Sequence, residues 1–385
     1  MLFSVTLLQA QSNMETTLAE ISKNNKTILA NAAAGDAQKL QFTTGLNLAN
    51  PVVEFDYLKG SPANAGNQTD FTVSQQFDFP TAYAKKRQLV DQQSSQVALQ
   101  LQVKRQDILL EAKKACIRLI FHNKLQSQLL QRKKAAEKLS NNYQSRLDKG
   151  DANILDVNKA HLQVIEITNS FQRNISLINQ LNQKLTELNG GDPIIFNDTI
   201  YPYIPEIPEF EILEKEYEDN DALRKSLDQE KVIAENQLAV SKALALPKME
   251  VGYHYQGILG QTYQGVHTGI SIPLWENRNV IKQNRSQIIA TEMEIDAHVN
   301  EHFYHIKHLY EHYLNLKVTM DAYRVANFDS AARNKTLLAK AFALGQISSV
   351  EYFMEITYYY TALDNFLETE MQYHDTIAEL YKYKL

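Results

Sequence analysis

One cysteine, Cys116, serves all 385 residues, which excludes a disulfide framework and a thiolate metal cage. Thirteen glycines and nine prolines are few for this length, and they cluster between long stretches that contain neither. A chain so poor in helix breakers is suited to long helices. No apolar run approaches the roughly 18 residues of a membrane-spanning helix, and the mean hydropathy is negative. That test is blind to β-barrel strands, which alternate apolar and polar residues. Runs of like charge are missing as well: the net charge is −6 with acids and bases interspersed, so nothing suggests a nucleic-acid groove or a polybasic membrane tail. Gly-rich phosphate loops, nucleophile elbows and zinc-protease motifs are also absent, which argues against an enzyme and gives no reason to expect a cofactor.

What is present is written twice. Phe71–Pro80 (FTVSQQFDFP) precedes a glycine-free stretch that runs to Leu147-Asp148-Lys149-Gly150, and Gly269–Pro273 (GISIP) precedes another that runs to Ala343-Leu344-Gly345. Each glycine is followed at the same offset by an acid, Asp156 after Gly150 and Glu351 after Gly345. Between the halves lies a breaker-rich linker, about residues 190–208, with Gly190-Gly191-Asp192-Pro193, Pro202, Pro205 and Pro208. The expected organisation is therefore a first repeat over about 11–189 and a second over about 209–385.

Each repeat reads helix, strand, strand, very long helix, glycine turn, helix. Breakers and periodicity predict helices over about 13–35, 81–149 and 153–188, then about 209–245, 276–344 and 348–383. The helical hairpins thus cover about 81–188 and 276–383, and each long member would extend on the order of 100 Å. Apolar residues recur at three and four positions, as in Phe303, Ile306, Tyr310 and Leu314, which asks for helix neighbours in coiled-coil fashion.

Strands are predicted over about 51–59, 69–79, 247–256 and 263–274 from period-two alternation. Met249, Val251, Tyr253 and Tyr255 alternate with Lys248, Glu250, Gly252 and His254; Val53, Phe55 and Tyr57 alternate with Glu54 and Asp56. Tyr57, Tyr83, Tyr253, Tyr255, Tyr263 and Trp275 fall near strand ends, where the aromatic girdles of a membrane barrel would sit; Tyr57, Tyr253, Tyr255 and Trp275 are the main candidates for contact with outer-membrane lipid. Four strands cannot close a water-filled lumen, and open edges are not tolerated in lipid, so the chain must oligomerise. Three protomers would close a barrel of about twelve strands, giving a mainly α protein with a membrane β-barrel portion. Residues 1–10 (MLFSVTLLQA) are apolar and end in Ala before Gln11, like a short secretory signal without a basic start.

These features together resemble the outer membrane efflux family typified by TolC, including its heavy-metal branch typified by CzcC. The resemblance covers nearly the whole chain. It rests on Asn50-Pro51 before the first strand and on Ile272-Pro273-Leu274-Trp275, which leads through Glu276 and Asn277 to Arg278. The two glycine turns leading into Asp156-Val157 with Ala160 and into Glu351 complete it. It implies a homotrimer with an outer-membrane barrel and a periplasmic helical tunnel, an efflux channel that transports passively. It further implies contacts from the hairpin tips, around Gly150 and Gly345, to a periplasmic adaptor that links the duct to an inner-membrane pump of the resistance-nodulation-division class. A duct for type I protein secretion would use the same fold. A long coiled-coil scaffold would explain the helices but not the alternating strands. Lipid-anchored members carry a cysteine at the cleavage site where Gln11 stands here, so no acyl anchor is expected.

In the family, acids ring the closed entrance, and Asp156 and Glu351 match those positions by offset, whereas Met354 stands where a further gate acid would be. Rings of carboxylates favour cations. A second role fits the same residues: Ser348-x-x-Glu351 reads as a capping box and Asn153-x-x-Asp156 as a looser version of one. The two roles are compatible. His298, His302, His305 and His312 fall on one side of the long helix of the second repeat, with His308 one position off that line. Imidazoles spaced by three or four residues can bind a transition metal. A polar, solvent-facing stripe beside Phe303, Ile306 and Tyr310 is the plainer reading and, with no closed ligand cage in sight, the favoured one.

Overall fold

Pro80 supplies a fixed φ and lacks an N–H, so it suits the first position of a helix. In a computed structural model, which describes residues 13–275, 278–325 and 328–385, it opens α3 (Pro80–Asp148), an unbroken helix of 69 residues. The other helices are α1 (Asn13–Asn24), α2 (Lys26–Thr44), α4 (Ile154–Leu188), α5 (Phe210–Asn220), α6 (Ala222–Leu244), α7 (Val280–Val325), α8 (Phe328–Ala343) and α9 (Ser349–Leu380). Residues 1–10, read as an export signal, and Gln11 lie outside the described residues.

The first helix does not end near residue 35 as expected. It breaks at Asn25 and resumes to Thr44. Asn25 is almost fully buried; its Oδ1 accepts from Ile28 N at 2.9 Å, capping α2, while its Nδ2 donates to the Leu188 carbonyl at the end of α4 at 2.7 Å. The helix expected over 209–245 breaks likewise, at Asp221, whose Oδ1 accepts from Leu223 N at 3.0 Å. An asparagine or aspartate side chain replaces the missing backbone acceptor at each break, so no glycine or proline is needed. Between α7 and α8, residues 326 and 327 lie outside the described residues.

α3, α4 and α8 each end on a glycine with positive φ, Gly150 (76°), Gly190 (75°) and Gly345 (70°). In each the following N–H reaches back five residues: Asp151 to Arg146, Gly191 to Thr186 and Gln346 to Ala341, at 2.8 to 2.9 Å. This is the Schellman closure, in which the left-handed residue costs least when it is glycine.

Four strands, β1 (Val52–Leu58), β2 (Gln68–Phe77), β3 (Lys248–Ile258) and β4 (Gln261–Ser271), form one antiparallel sheet in the order β1-β2-β3-β4. β3 and β4 are joined by a two-residue turn in which Leu259 and Gly260 both have positive φ.

The contacts divide the chain into two compact units, each drawing on both halves of the sequence: one from residues 13–29, 104–219 and 303–385, the other from 30–103 and 220–302. In the first, Met14, Ile21, Leu119, Ile120, Leu185 and Phe196 share one core cluster, and Leu213, Ile306, Leu309, Tyr313 and Leu380 another. An ion-pair ladder joins α3 to α9 in the same unit. Lys114 meets Glu379 and, at 3.8 Å, Asp375; Arg118 meets Asp375 at 3.7 Å and Lys124 meets Glu370 at 2.6 Å. Arg132, whose side chain is only 6% exposed, forks onto both oxygens of Asp364 at 2.8 and 2.6 Å and lies over the Tyr360 ring. The cations climb α3 as the acids descend α9, as antiparallel helices require. Burial pushes the Asp375 carboxyl upward, against the pull of Lys114 and Arg118.

The Schellman glycines differ in what surrounds them. A Cβ on Gly190 would sit 2.4 Å from the Asn24 carbonyl oxygen, whereas one on Gly150 meets nothing within 4 Å. Gly150→Ala should therefore cost only the left-handed strain, about 1 kcal/mol, while Gly190→Ala adds a backbone clash and should cost at least about twice that. Equal losses in thermal or denaturant melts would contradict this account of the α1–α4 joint.

Candidate functional site

Two surfaces carry the residues singled out above: the sheet, and the tips of the helical hairpins.

In the sheet, cross-strand register decides which side chains share a face, because directly paired residues point the same way and alternate positions point oppositely. Val53, Val73, Tyr253 and Val266 form one row, and Phe55, Phe71 and Tyr255 run through the next; Phe77, Met249 and Ile270 lie on the same face. The opposite face holds Glu54, Thr72 and His254 in one row, and Asp56, Asp70 and Gln256 in the next. One side is thus mostly apolar and the other polar with several acids. Among the described residues nothing covers the apolar side: Val53, Phe55, Tyr57, Val266 and Ile270 are all exposed. Among the described residues β1 and β4 have no outer partner strand, so each presents a row of unpaired backbone groups.

Among the proposed girdle residues, Tyr57, Tyr253 and Tyr255 lie on the apolar face by register, and Trp275, beyond the end of β4, is 79% exposed. Two other aromatics behave differently. Tyr263 pairs with Gln256 and so belongs to the polar row of Asp56 and Asp70. Tyr83 accepts from the Asp78 N–H at 3.0 Å, fixing the passage from β2 into α3.

At the tips, Gly150 and Gly345 turn α3 into α4 and α8 into α9. A cleft of about 530 Å³ lies between the two turns, lined by Tyr143, Arg146, Asp156, Phe342 and Ser349 among others. Beneath it Tyr143 is buried with Val157 and Ala160, its ring 6.3 Å from Phe353 and 6.0 Å from Phe342. Burial raises its phenol above the usual value.

The two acids are held differently. Ser348 and Glu351 make a full capping box: Glu351 N donates to Ser348 Oγ at 3.2 Å and Ser348 N donates to Glu351 Oε2 at 2.7 Å. The Ser348 N–H, with the Ser348 hydroxyl second, holds the Glu351 carboxyl below its usual range. Asn153 also caps its helix, but by accepting from Leu155 N at 3.0 Å, and Asp156 does not reciprocate. Asp156 Oδ1 instead accepts from Ser349 Oγ at 3.2 Å, which ties the start of α4 to the start of α9. Ser349 and Tyr143 went unnoticed in the sequence because their role depends on the meeting of two hairpins nearly 200 residues apart.

The histidines do not share one environment. His298 is half-buried with its Nε2 3.0 Å from Asp221 Oδ2, and its ring lies 5.6 Å from that of His302. His305, His308 and His312 are exposed, and His308, which the expected line omitted, lies beside His312. Among the described residues no group of three or more His, Cys, Asp or Glu is placed to hold a metal ion.

No protein-family model matches the sequence, and no curated protein matches it. Solved structures do match. The chain aligns over 97% of its length with 92% of CusC, at TM-score 0.79 and 10% identity; the CusC structures concern conformational changes that accompany folding and transmembrane channel formation. It aligns over 97% with 85% of the CmeC outer membrane channel of Campylobacter jejuni, at TM-score 0.74 and 12% identity. The open state of the MtrE outer membrane channel of Neisseria gonorrhoeae matches at TM-score 0.70 and 10% identity, over 96% of this chain and 88% of that one. The fold is that of the TolC-like outer-membrane channels.

The capping geometry separates a hydroxyl from a carboxylate contribution. Ser348→Ala should lower the exchange protection of the first turn of α9 by about 1 kcal/mol at neutral pH. Because the Glu351 pKa is depressed, its contribution is present above the ordinary unfolded value, about 4.3, and is lost as pH falls through the lower folded value. Amide exchange over residues 350–354, corrected for intrinsic rates, should show that acid loss in the wild type and not in Glu351→Gln.

Proposed function

We propose that the chain is one protomer of a trimeric outer-membrane efflux duct, through which solutes pass passively from the periplasm to the exterior. The observation that carries this reading is the four-stranded sheet, with one apolar face, one polar face and two unpaired edges. A sheet so built is unsatisfied in water and in lipid alike until β1 of one copy meets β4 of the next. Three copies close about twelve strands, an even number suited to an outer-membrane barrel. The apolar face then meets lipid, with Tyr57 and Tyr255 towards one interface and Trp275 towards the other, and the acids of the polar face line water.

The helical hairpins form the periplasmic tunnel in this reading. The exposed turns at Gly150 and Gly345 are the parts open to a periplasmic adaptor, which couples the duct to an inner-membrane pump of the resistance-nodulation-division class. Threefold symmetry repeats Asp156 and Glu351 as rings of carboxylates at the entrance, where they attract cations and repel anions. The Asp156–Ser349 bond engages one oxygen of each aspartate in this arrangement.

Native mass spectrometry in mild detergent should find a trimer; a stable, folded monomer would defeat the proposal. For the entrance, replacing both Asp156 and Glu351 by Ala should weaken cation preference in single-channel recordings from reconstituted bilayers. An unchanged cation-to-anion permeability ratio, together with a lowered melting temperature, would leave these acids only their capping and tethering roles.

A further inference from the structure

Four histidines of the chain are occupied inside the fold. His122 Nδ1 lies 2.7 Å from Asn174 Oδ1, His254 Nδ1 lies 2.8 Å from Thr72 Oγ1, His298 is tied to Asp221, and the His374 ring stacks 4.0 Å from that of Tyr201. His308 and His312 are different. Both are exposed on α7, and among the described residues neither ring takes part in a hydrogen bond or ion pair. The two rings lie beside each other: the ring centroids are 6.5 Å apart and the planes differ by 20°.

We propose that His308 and His312 form a two-imidazole chelate for a borderline transition-metal ion of the Zn²⁺, Ni²⁺ or Cu²⁺ class. A separation of four residues places the two side chains one above the other on a helix surface. The rigid rungs beneath them are Leu309 and Tyr313, buried in the core next to each histidine, so the backbone positions of the pair are fixed while the rings remain free to turn. Imidazole nitrogens bind such an ion at about 2.0–2.1 Å. Ring centroids joined through one ion would lie somewhat closer than they do here, which rotation of two exposed side chains can supply without moving the helix. Two protein donors leave the remaining positions to water. Hard cations, which prefer oxygen donors, are not served by this pair, and imidazole suits zinc, nickel and copper. The inference stands on these two residues and is independent of the duct.

The test uses the full chain in detergent, titrated calorimetrically with NiCl₂ and with ZnCl₂. The expected result is one binding event per chain. Removal of an outer-shell partner already costs metal sites about 10–100-fold in affinity, so losing a direct donor in His308→Ala or His312→Ala should weaken binding at least about tenfold. His161→Ala, an exposed histidine on α4, should bind as the wild type does. Copper added to the wild type should give an electron paramagnetic resonance spectrum with imidazole nitrogen coupling that is lost in the double variant. A wild-type chain that takes up neither ion overturns the proposal, as does a double variant that binds unchanged. Both alanines lie on an exposed face, and a circular dichroism melt matching the wild type shows that the fold is intact.

Discussion

The pairing of β2 with β3 is the constraint on which the rest depends. Gln68 to Phe77 align one to one with Ile258 to Met249, residues more than 170 positions away. This pairing makes one sheet of two separate hairpins, and with it one apolar and one polar face. A slip of one residue would turn every β3 side chain to the other face, placing Glu250 and His254 among Val73 and Phe71. The alternation in each strand is therefore informative only together with the register between them.

Within the helical unit two kinds of interaction act at different scales. Leu119, Ile120, Leu185, Phe196 and Leu213 are nearly or fully buried, and each such side chain contributes about 1.5–3 kcal/mol. The α3–α9 ion pairs are mostly partly exposed and contribute about 0–1 kcal/mol each. Apolar packing therefore supplies most of the stability, and the ladder fixes the vertical alignment of two helices whose apolar stripes alone would allow a shift of one turn. Arg132 is the exception. Its side chain is buried, so the Asp364 fork on its two terminal nitrogens and the Tyr360 ring offset part of its lost hydration, and its position on the ladder is the least free to change.

Much of the fold could be read from the sequence, because long glycine-free stretches and period-two strands are strong local signals. The Gly150 and Gly345 turns were visible for the same reason. The breaks at Asn25 and Asp221 were not. The sequence continues there without glycine or proline, and the signal lay in the cap-type residues themselves, Asn25 and Asp221, whose side chains also bond to Leu188 and His298 on other helices. The Ser348–Glu351 box was legible because it is local. The Asp156–Ser349 bond was not, since it joins two hairpins. In the histidine stripe, helical spacing already places His308 beside His312, but it does not show that Asp221 holds His298, because that bond joins two helices.

The open edges also bear on how such a chain reaches its final state. Contacts between residues so far apart in the chain are slow to form, because a long loop must close before they give any return. The β2–β3 seam, which creates a four-stranded sheet from two weak hairpins, is of that kind. Until it closes there is no wide apolar face, and a lone hairpin is marginal in water. The same topology that leaves β1 and β4 unsatisfied at the end thus postpones their appearance. In the duct proposed above, a chain that crosses the periplasm would carry its stickiest surface there mostly unassembled, and the delay would guard against premature self-association.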